Sequence, residues 1–156
     1  MTIHIVLVEP EIPPNTGNIA RSCAATGAKL HLVKPLGFSI DDKTLKRAGL
    51  DYWPFVDLEV HECLEDFLIK YKDMPMYLAT TKGIRNYAEV VYEENAMILF
   101  GKETAGLPRT LIEEYKDRTI RIPMSKDTRL RSLNLSNSAN IVLFEALRQG
   151  GFPNLE

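Results

Sequence analysis

A chain of 156 residues is long enough to bury one core without disulfides or a metal, and short enough that a single domain over 1–156 is expected. With 45% hydrophobic and 26% charged residues, and no repeat or low-complexity tract, the composition excludes disordered, collagen-like and solenoid architectures. The formal net charge of −2 gives no global pull toward polyanions, so a nucleic-acid partner would need a local basic surface.

The first element, residues 3–8, is an apolar run without a basic leader and too short to span a bilayer. It reads as a buried strand. Period and turn signals then predict a helix over 17–26, a strand at 29–33, a helix at 42–48, a strand at 56–60 and a helix at 62–71. Strands follow at 75–79 and 96–100, a helix at 108–115, a strand at 118–122 and a final helix at 135–149. The alternation predicts an α/β fold, a mainly parallel sheet flanked by helices.

That last helix is apolar around nearly its whole circumference through Ala139, Ile141, Val142, Leu143, Phe144, Ala146 and Leu147. One core face cannot use all of them, which favours an isologous dimer. Cys23 and Cys63 are far apart in helix-like segments, so both are expected to be reduced. His4, His31 and His61 lie in or beside strands with no Glu or Cys at ligand spacing, and are expected to be structural; no metal is expected.

Familiar nucleotide motifs fail. The first strand-to-helix turn, Glu9-Pro-Glu-Ile-Pro-Pro-Asn-Thr-Gly17, has one glycine and three prolines where a dinucleotide site needs a glycine-rich turn. Gly101 and Gly106 have P-loop spacing, but Leu107 and Pro108 stand where Lys and Ser/Thr would bind phosphate and magnesium.

Three other segments carry chemistry. In Asn15-Thr-Gly-Asn-Ile-Ala-Arg21, Asn15 or Thr16 is suited to cap the helix, free amides there would attract phosphate, and Asn18 and Arg21 share a face. The capping Asn and surface Arg of an ordinary helix start would look the same. Phe100-Gly-Lys-Glu-Thr-Ala-Gly-Leu-Pro108 follows an apolar strand, with Gly101 permitting close approach, Glu103 able to orient donors from another loop, and Pro108 beginning the next helix. The third runs from Ile122-Pro-Met124 through Arg131-Ser-Leu-Asn-Leu-Ser-Asn137, where Ser132, Asn134, Ser136 and Asn137 both donate and accept, as a ribose requires. Basic residues cluster in or beside loops: Lys43, Lys46 and Arg47 near Tyr52 and Trp53, then Lys82 and Arg85, then Lys126, Arg129 and Arg131. They offer charge and a stacking plane for single-stranded RNA, or merely a solvated face, and Tyr52 and Trp53 equally suit the core.

In order and spacing the three segments resemble the motifs of the SpoU branch of the SPOUT methyltransferases, across essentially the whole chain. The short length and Arg47-Ala-Gly-Leu-Asp-Tyr-Trp53 resemble its TrmL (YibK-like) group, tRNA wobble-ribose methyltransferases. The resemblance implies a C-terminal deep trefoil knot and a pocket for S-adenosyl-L-methionine, released as S-adenosyl-L-homocysteine. Ala79, Thr80, Gly101, Glu103, Ile122, Met124, Ser132, Leu133 and Asn134 would hold it. It also implies a cytoplasmic homodimer with its active site near the interface, acting on the anticodon loop of tRNA and on neither DNA nor membranes. Arg21 would act with a substrate phosphate, Asn15 and Glu103 would orient Arg21, and Ser132 and Asn134 would fix ribose and cofactor. Asn18, Lys43, Arg47, Lys82 and Arg85 are the candidate RNA contacts. Lys126 to Arg131 is longer than the family's usual connection. A ribosomal RNA 2′-O-methyltransferase and a non-catalytic knotted RNA-binding or assembly factor remain alternatives.

Overall fold

The computed structural model describes residues 2–41, 43, 45, 47 and 52–156. In chain order the elements are β1 (His4–Val8), α1 (Pro13–Thr26), β2 (Lys29–Val33), β3 (Asp57–His61), α2 (Leu64–Lys70), β4 (Met76–Ala79), β5 (Arg85–Asn86), β6 (Met97–Phe100), α3 (Arg109–Glu114), β7 (Thr119–Arg121) and α4 (Leu135–Gln149). Single 3-10 turns lie at Trp53–Phe55, Lys116–Arg118 and Thr128–Leu130. One seven-stranded sheet runs in the order β3-β2-β1-β6-β4-β7-β5, and each adjacent pair is parallel.

Alternation along β1 divides the core. Ile5 and Leu7 face α1 and α4 with Ile19, Cys23, Val142 and Leu143, while Val6 and Val8 face the other side with Phe67, Leu99 and Leu111. Each fully buried aliphatic or aromatic side chain contributes roughly 1.5–3 kcal/mol. α4 gives Ala139, Val142, Leu143, Ala146 and Leu147 to this core but leaves Ile141 37% and Phe144 45% exposed, so its apolar circumference is only partly used within one chain.

Two expectations need correction at α1. The helix starts at Pro13, not residue 17, because consecutive prolines suit its first positions, and its N-cap Ile12 supplies no side-chain cap. Asn15 and Thr16 therefore lie buried inside the first turn rather than capping it. At the other end Gly27 (φ 78) takes the left-handed conformation that stops the helix. Of the predicted helix 42–48, Lys43, Leu45 and Arg47 have helical backbone; Lys46 and the rest lie outside the described residues, as do residues 48–51 of the Arg47–Trp53 segment.

β5, two polar residues with no alternating apolar signal, was invisible to periodicity, yet it places β7 between β4 and β5. The loop 80–84 joining β4 to β5 crosses β7 closely. Thr80 N donates to Ile120 O (3.0 Å), Ile84 N to Thr119 Oγ1 (3.1 Å), and Arg121 Nη1 to Gly83 O (3.0 Å). A Cβ on Gly83 would lie 2.2 Å from the carbonyl carbon of Ile120, so glycine is required by that approach.

Three buried histidines cross β1, β2 and β3. His4 Nδ1 lies 2.9 Å from His31 Nε2, and His31 Nδ1 lies 2.9 Å from His61 Nε2. The ring centroids are 5.2 Å apart in both pairs, longer than the N···N distance by two ring radii, so the rings meet edge to edge in line. Glu59, which alternation puts on the same strand face as His61, brings Oε2 to 3.1 Å of His61 Nε2. That corrects the expectation of no Glu at ligand spacing: donor atoms of His31, Glu59 and His61 lie within 4.8 Å of one another. Nitrogens aimed at each other suit a shared proton better than a metal. The Glu59 carboxylate also engages Lys29 (3.1 Å), Lys70 (3.0 Å) and Tyr71 (2.8 Å), which would compete with any cation. Burial would raise its pKa, but the hydrogen bonds from Lys70, Tyr71 and Lys29 outweigh burial and hold it at about 2.

Burial pushes His31 down to about 3 and lowers His4 and His61 below the ordinary histidine value, which favours the neutral form of all three in the native state. The unfolded chain binds more protons below pH 6.5, so folding stability is full above that pH and falls as pH drops from about 6.5 toward 3. His31, neutral across that window in the native state, contributes up to about 1.4 kcal/mol per pH unit to that slope. Urea denaturation from pH 7 to pH 4 should show the loss, and His31→Phe should flatten it. An unchanged slope in the variant would contradict this origin.

Candidate active site

The loop after β6 folds back on itself, with Lys102 and Gly106 paired in an antiparallel bridge and Gly106 at φ 71. A Cβ on Gly101 would meet the Gly106 carbonyl carbon at 2.0 Å, so the hairpin closes only over glycine. Closure presents Glu103 to the turn between β1 and α1. Its carboxylate accepts from Glu11 N (2.9 Å), Ile12 N (2.9 Å) and Asn15 Nδ2 (3.1 Å). The free amides expected near residue 17 lie inside the helix instead, with Asn15 N and Thr16 N donating to Ile12 O, and the amides just before the actual helix start are occupied by a carboxylate, the favourable anion at a helix N-terminus. The contact is reciprocal: Glu11 Oε1 accepts from Thr104 N (3.0 Å) and Thr104 Oγ1 (2.7 Å), and those bonds hold the Glu11 carboxyl below its ordinary pKa.

The third segment joins through Asn134. Its Nδ2 donates to Asn15 Oδ1 (3.0 Å), while its Oδ1 accepts from Ser136 N (2.9 Å), Ser136 Oγ (2.6 Å) and Asn137 N (3.2 Å) as N-cap of α4. A continuous chain Asn134–Asn15–Glu103 therefore ties all three segments together, with Asn15 buried at its centre. Asn134 is both cap and connector.

Asn134→Ala should cost about 1 kcal/mol for the cap and about 1–3 kcal/mol for the unmatched Asn15 oxygen. Asn134→Asp keeps the cap but has no donor for Asn15 and adds a charge near Glu103, so it should recover only the smaller part. Full recovery by Asp in urea denaturation would show the Asn134–Asn15 bond to be energetically idle.

These loops enclose a crevice of about 510 Å³. Ala79, Thr80, Gly101, Glu103, Ile122, Met124, Ser132, Leu133 and Asn134 all line it, as do Asn15 and, unanticipated from sequence, Thr104 and Ser138. It opens beyond the carboxyl ends of β4, β6 and β7, where parallel sheets present their loops.

Arg21 does not line the crevice. It is exposed on α1, its guanidinium 4.6 Å from the centre of the Tyr52 ring with Nη2 donating to Tyr52 OH (3.3 Å). Asn15 and Glu103 turn to each other and to the β1–α1 turn, so the expectation that they orient Arg21 is corrected: Tyr52 holds it. Trp53 is half-buried against the core. Asn18, Lys43, Arg47, Lys82 and Arg85 are all exposed and outside the crevice. Arg129 folds onto Asp127, with Nη2 to Oδ2 at 2.7 Å, so a neighbouring carboxylate partly offsets its charge in the expected basic cluster. Pro108 caps α3 from just outside rather than beginning it. The sulfur of Cys63 accepts from Asp66 N (3.4 Å) as the cap of α2, and burial raises the Cys23 thiol to about 12.

Residues 2–144 match the SpoU rRNA Methylase family. A tRNA (cytidine(34)-2′-O)-methyltransferase of Yersinia pestis is 49% identical over 157 residues, covering 97% of this chain and 96% of the relative. A solved structure concerned with 2-OH methylation of C/U34 on tRNA superposes with a TM-score of 0.91 at 40% identity, covering 96% of this chain and 97% of the other. An AdoMet-bound rRNA methyltransferase from Sinorhizobium meliloti gives a TM-score of 0.83 at 26% identity, covering 94% of this chain but 56% of that longer one. With a near-complete family match, a near-half-identical relative of equal extent and the convergence of all three motif loops, the chain belongs to the SpoU rRNA methylase family.

Proposed function

We propose that this protein is an S-adenosyl-L-methionine-dependent RNA 2′-O-methyltransferase that modifies the ribose of nucleotide 34 in the tRNA anticodon loop. The observation that carries the reading is the single crevice built by three loops far apart in sequence, in a chain whose full-length relatives are named for that reaction. The crevice fits the cofactor. Its volume suits a small-molecule site, its hairpin closes through Gly101 without side-chain bulk, and its rim carries Ser132 and Asn134 for a ribose. When bound, S-adenosyl-L-methionine supplies an electrophilic methyl group on a sulfonium. Thr80, Gly101, Ile122 and Met124 would hold it largely through main-chain groups, and Asn15, Glu103 and Asn134 keep the three walls in register.

Little acid-base chemistry is needed beyond release of the hydroxyl proton to water, so alignment supplies much of the rate. A guanidinium is a permanent cation, and the role of Arg21 is therefore electrostatic: it grips a phosphate and lowers the cost of negative charge developing on the 2′-oxygen. Asn18, Lys43, Arg47, Lys82 and Arg85 are exposed and available to the RNA backbone.

The position of β7, threaded between β4 and β5 beneath the loop 80–84, supports a deep trefoil knot in the C-terminal part. The exposed Ile141 and Phe144 on α4 support a homodimer with α4 at its interface, bringing the crevice rim near the second copy. Phe144→Asp with Ile141→Asp should convert it to monomer by light scattering; an unchanged mass would place the interface elsewhere. Among the described residues no helix is long and apolar enough to cross a membrane, and a tRNA substrate fits a cytoplasmic location.

Purified protein with tritiated S-adenosyl-L-methionine should label unmodified tRNA and leave ribosomal RNA unlabelled. The reverse would favour the ribosomal alternative, and no transfer with intact cofactor binding the non-catalytic one.

A further inference from the structure

We propose that Tyr52 is a positioning residue for Arg21, holding the guanidinium by its ring face and hydroxyl so that the arginine meets RNA already ordered and still fully charged. The inference rests on the reading of Arg21 as the substrate-orienting cation.

Arg21 is exposed, and a free arginine side chain must give up substantial rotamer freedom when it engages a phosphate. Here that freedom is already restricted by the 4.6 Å approach to the Tyr52 ring and the 3.3 Å bond to its hydroxyl. The choice of partner matters. A carboxylate would order the guanidinium equally well but neutralise it and compete with the phosphate, whereas an aromatic face orients the cation and leaves its charge available.

Tyr52 is itself anchored. It caps the turn Trp53–Phe55, with Phe55 N donating to Tyr52 O (2.9 Å) and Val56 N to Trp53 O (3.2 Å), and half-buried Trp53 packs against the core. The turn packs on α1, the helix that carries Arg21. With the guanidinium over it, that face of the Tyr52 ring is not open to a nucleobase.

The test is single-turnover methylation of tRNA by Tyr52→Ala, Tyr52→Leu and Tyr52→Phe, each alone and combined with Arg21→Ala. Loss of the ring in Ala or Leu should slow transfer about three- to tenfold at saturating tRNA, with cofactor affinity unchanged, and Phe should return it to within about twofold. Combined with Arg21→Ala, the Tyr52 substitutions should have no further effect. Leu preserves bulk, so the Leu-to-Phe comparison decides the matter even if Ala unfolds. Wild-type rates in Leu, or an equal loss with and without Arg21, would overturn the proposal. Near-wild-type transfer by Arg21→Ala alone would overturn the Arg21 reading beneath it, a separate result.

Discussion

Arg21→Ala is expected to slow methyl transfer by about a hundredfold or more while leaving cofactor affinity within about twofold of wild type. The split follows from where the residue stands. Arg21 lies outside the crevice lining, on the exposed face of α1, so its removal takes nothing from the cofactor's walls. On the proposed reading it removes a cation that would stand next to the hydroxyl losing its proton, and losing one such preorganised charge-stabilising group typically costs a hundredfold to a thousandfold. Arg21→Lys should recover only part, because an ammonium lacks the planar fork that grips phosphate in two places. Rapid-quench methylation with calorimetric cofactor titration checks both halves; a fall in cofactor affinity with unchanged chemistry would reverse the assignment.

Gly101→Ala should produce the other large effect, on stability and cofactor binding together. The added Cβ would stand 2.0 Å from the Gly106 carbonyl carbon and 2.1 Å from Leu107 N, both backbone atoms that cannot rotate away. The hairpin must open, withdrawing Glu103 from the Glu11 and Ile12 amides and freeing the turn before α1. A loss of about 3 kcal/mol or more is expected, with the melting temperature lower by about 6–12 °C and cofactor affinity down at least tenfold. A variant with wild-type melting and binding would mean that the Gly101–Gly106 approach is not needed for closure.

Much of the fold was legible because β1, β2, β4 and β6 are short apolar runs and α4 carries an unbroken helical pattern. β5 was not, since two polar residues held by long-range pairing leave no local period. The start of α1 was misplaced because Asn15 and Thr16 are good caps by residue type, while the actual neutralising group, Glu103, comes from a loop 88 residues away from Asn15. The crevice lining followed from resemblance to a family, not from any one motif. The connections within it, Asn134 to Asn15 and Glu11 to Thr104, depend on distances that spacing along the chain cannot express. Tyr52 was visible as an aromatic beside basic residues, but its partner is 31 residues earlier in sequence. The His31–Glu59–His61 cluster had one readable clue, the Glu59-x-His61 alternation that puts both on one strand face.

The most direct measurement uses a tRNA whose nucleotide 34 carries a 2′-deoxyribose, compared with the all-ribose molecule under identical conditions. Label from S-adenosyl-L-methionine should enter the ribose form at that one nucleotide and be absent from the deoxy form. Equal labelling of both would contradict methyl transfer to the 34 ribose.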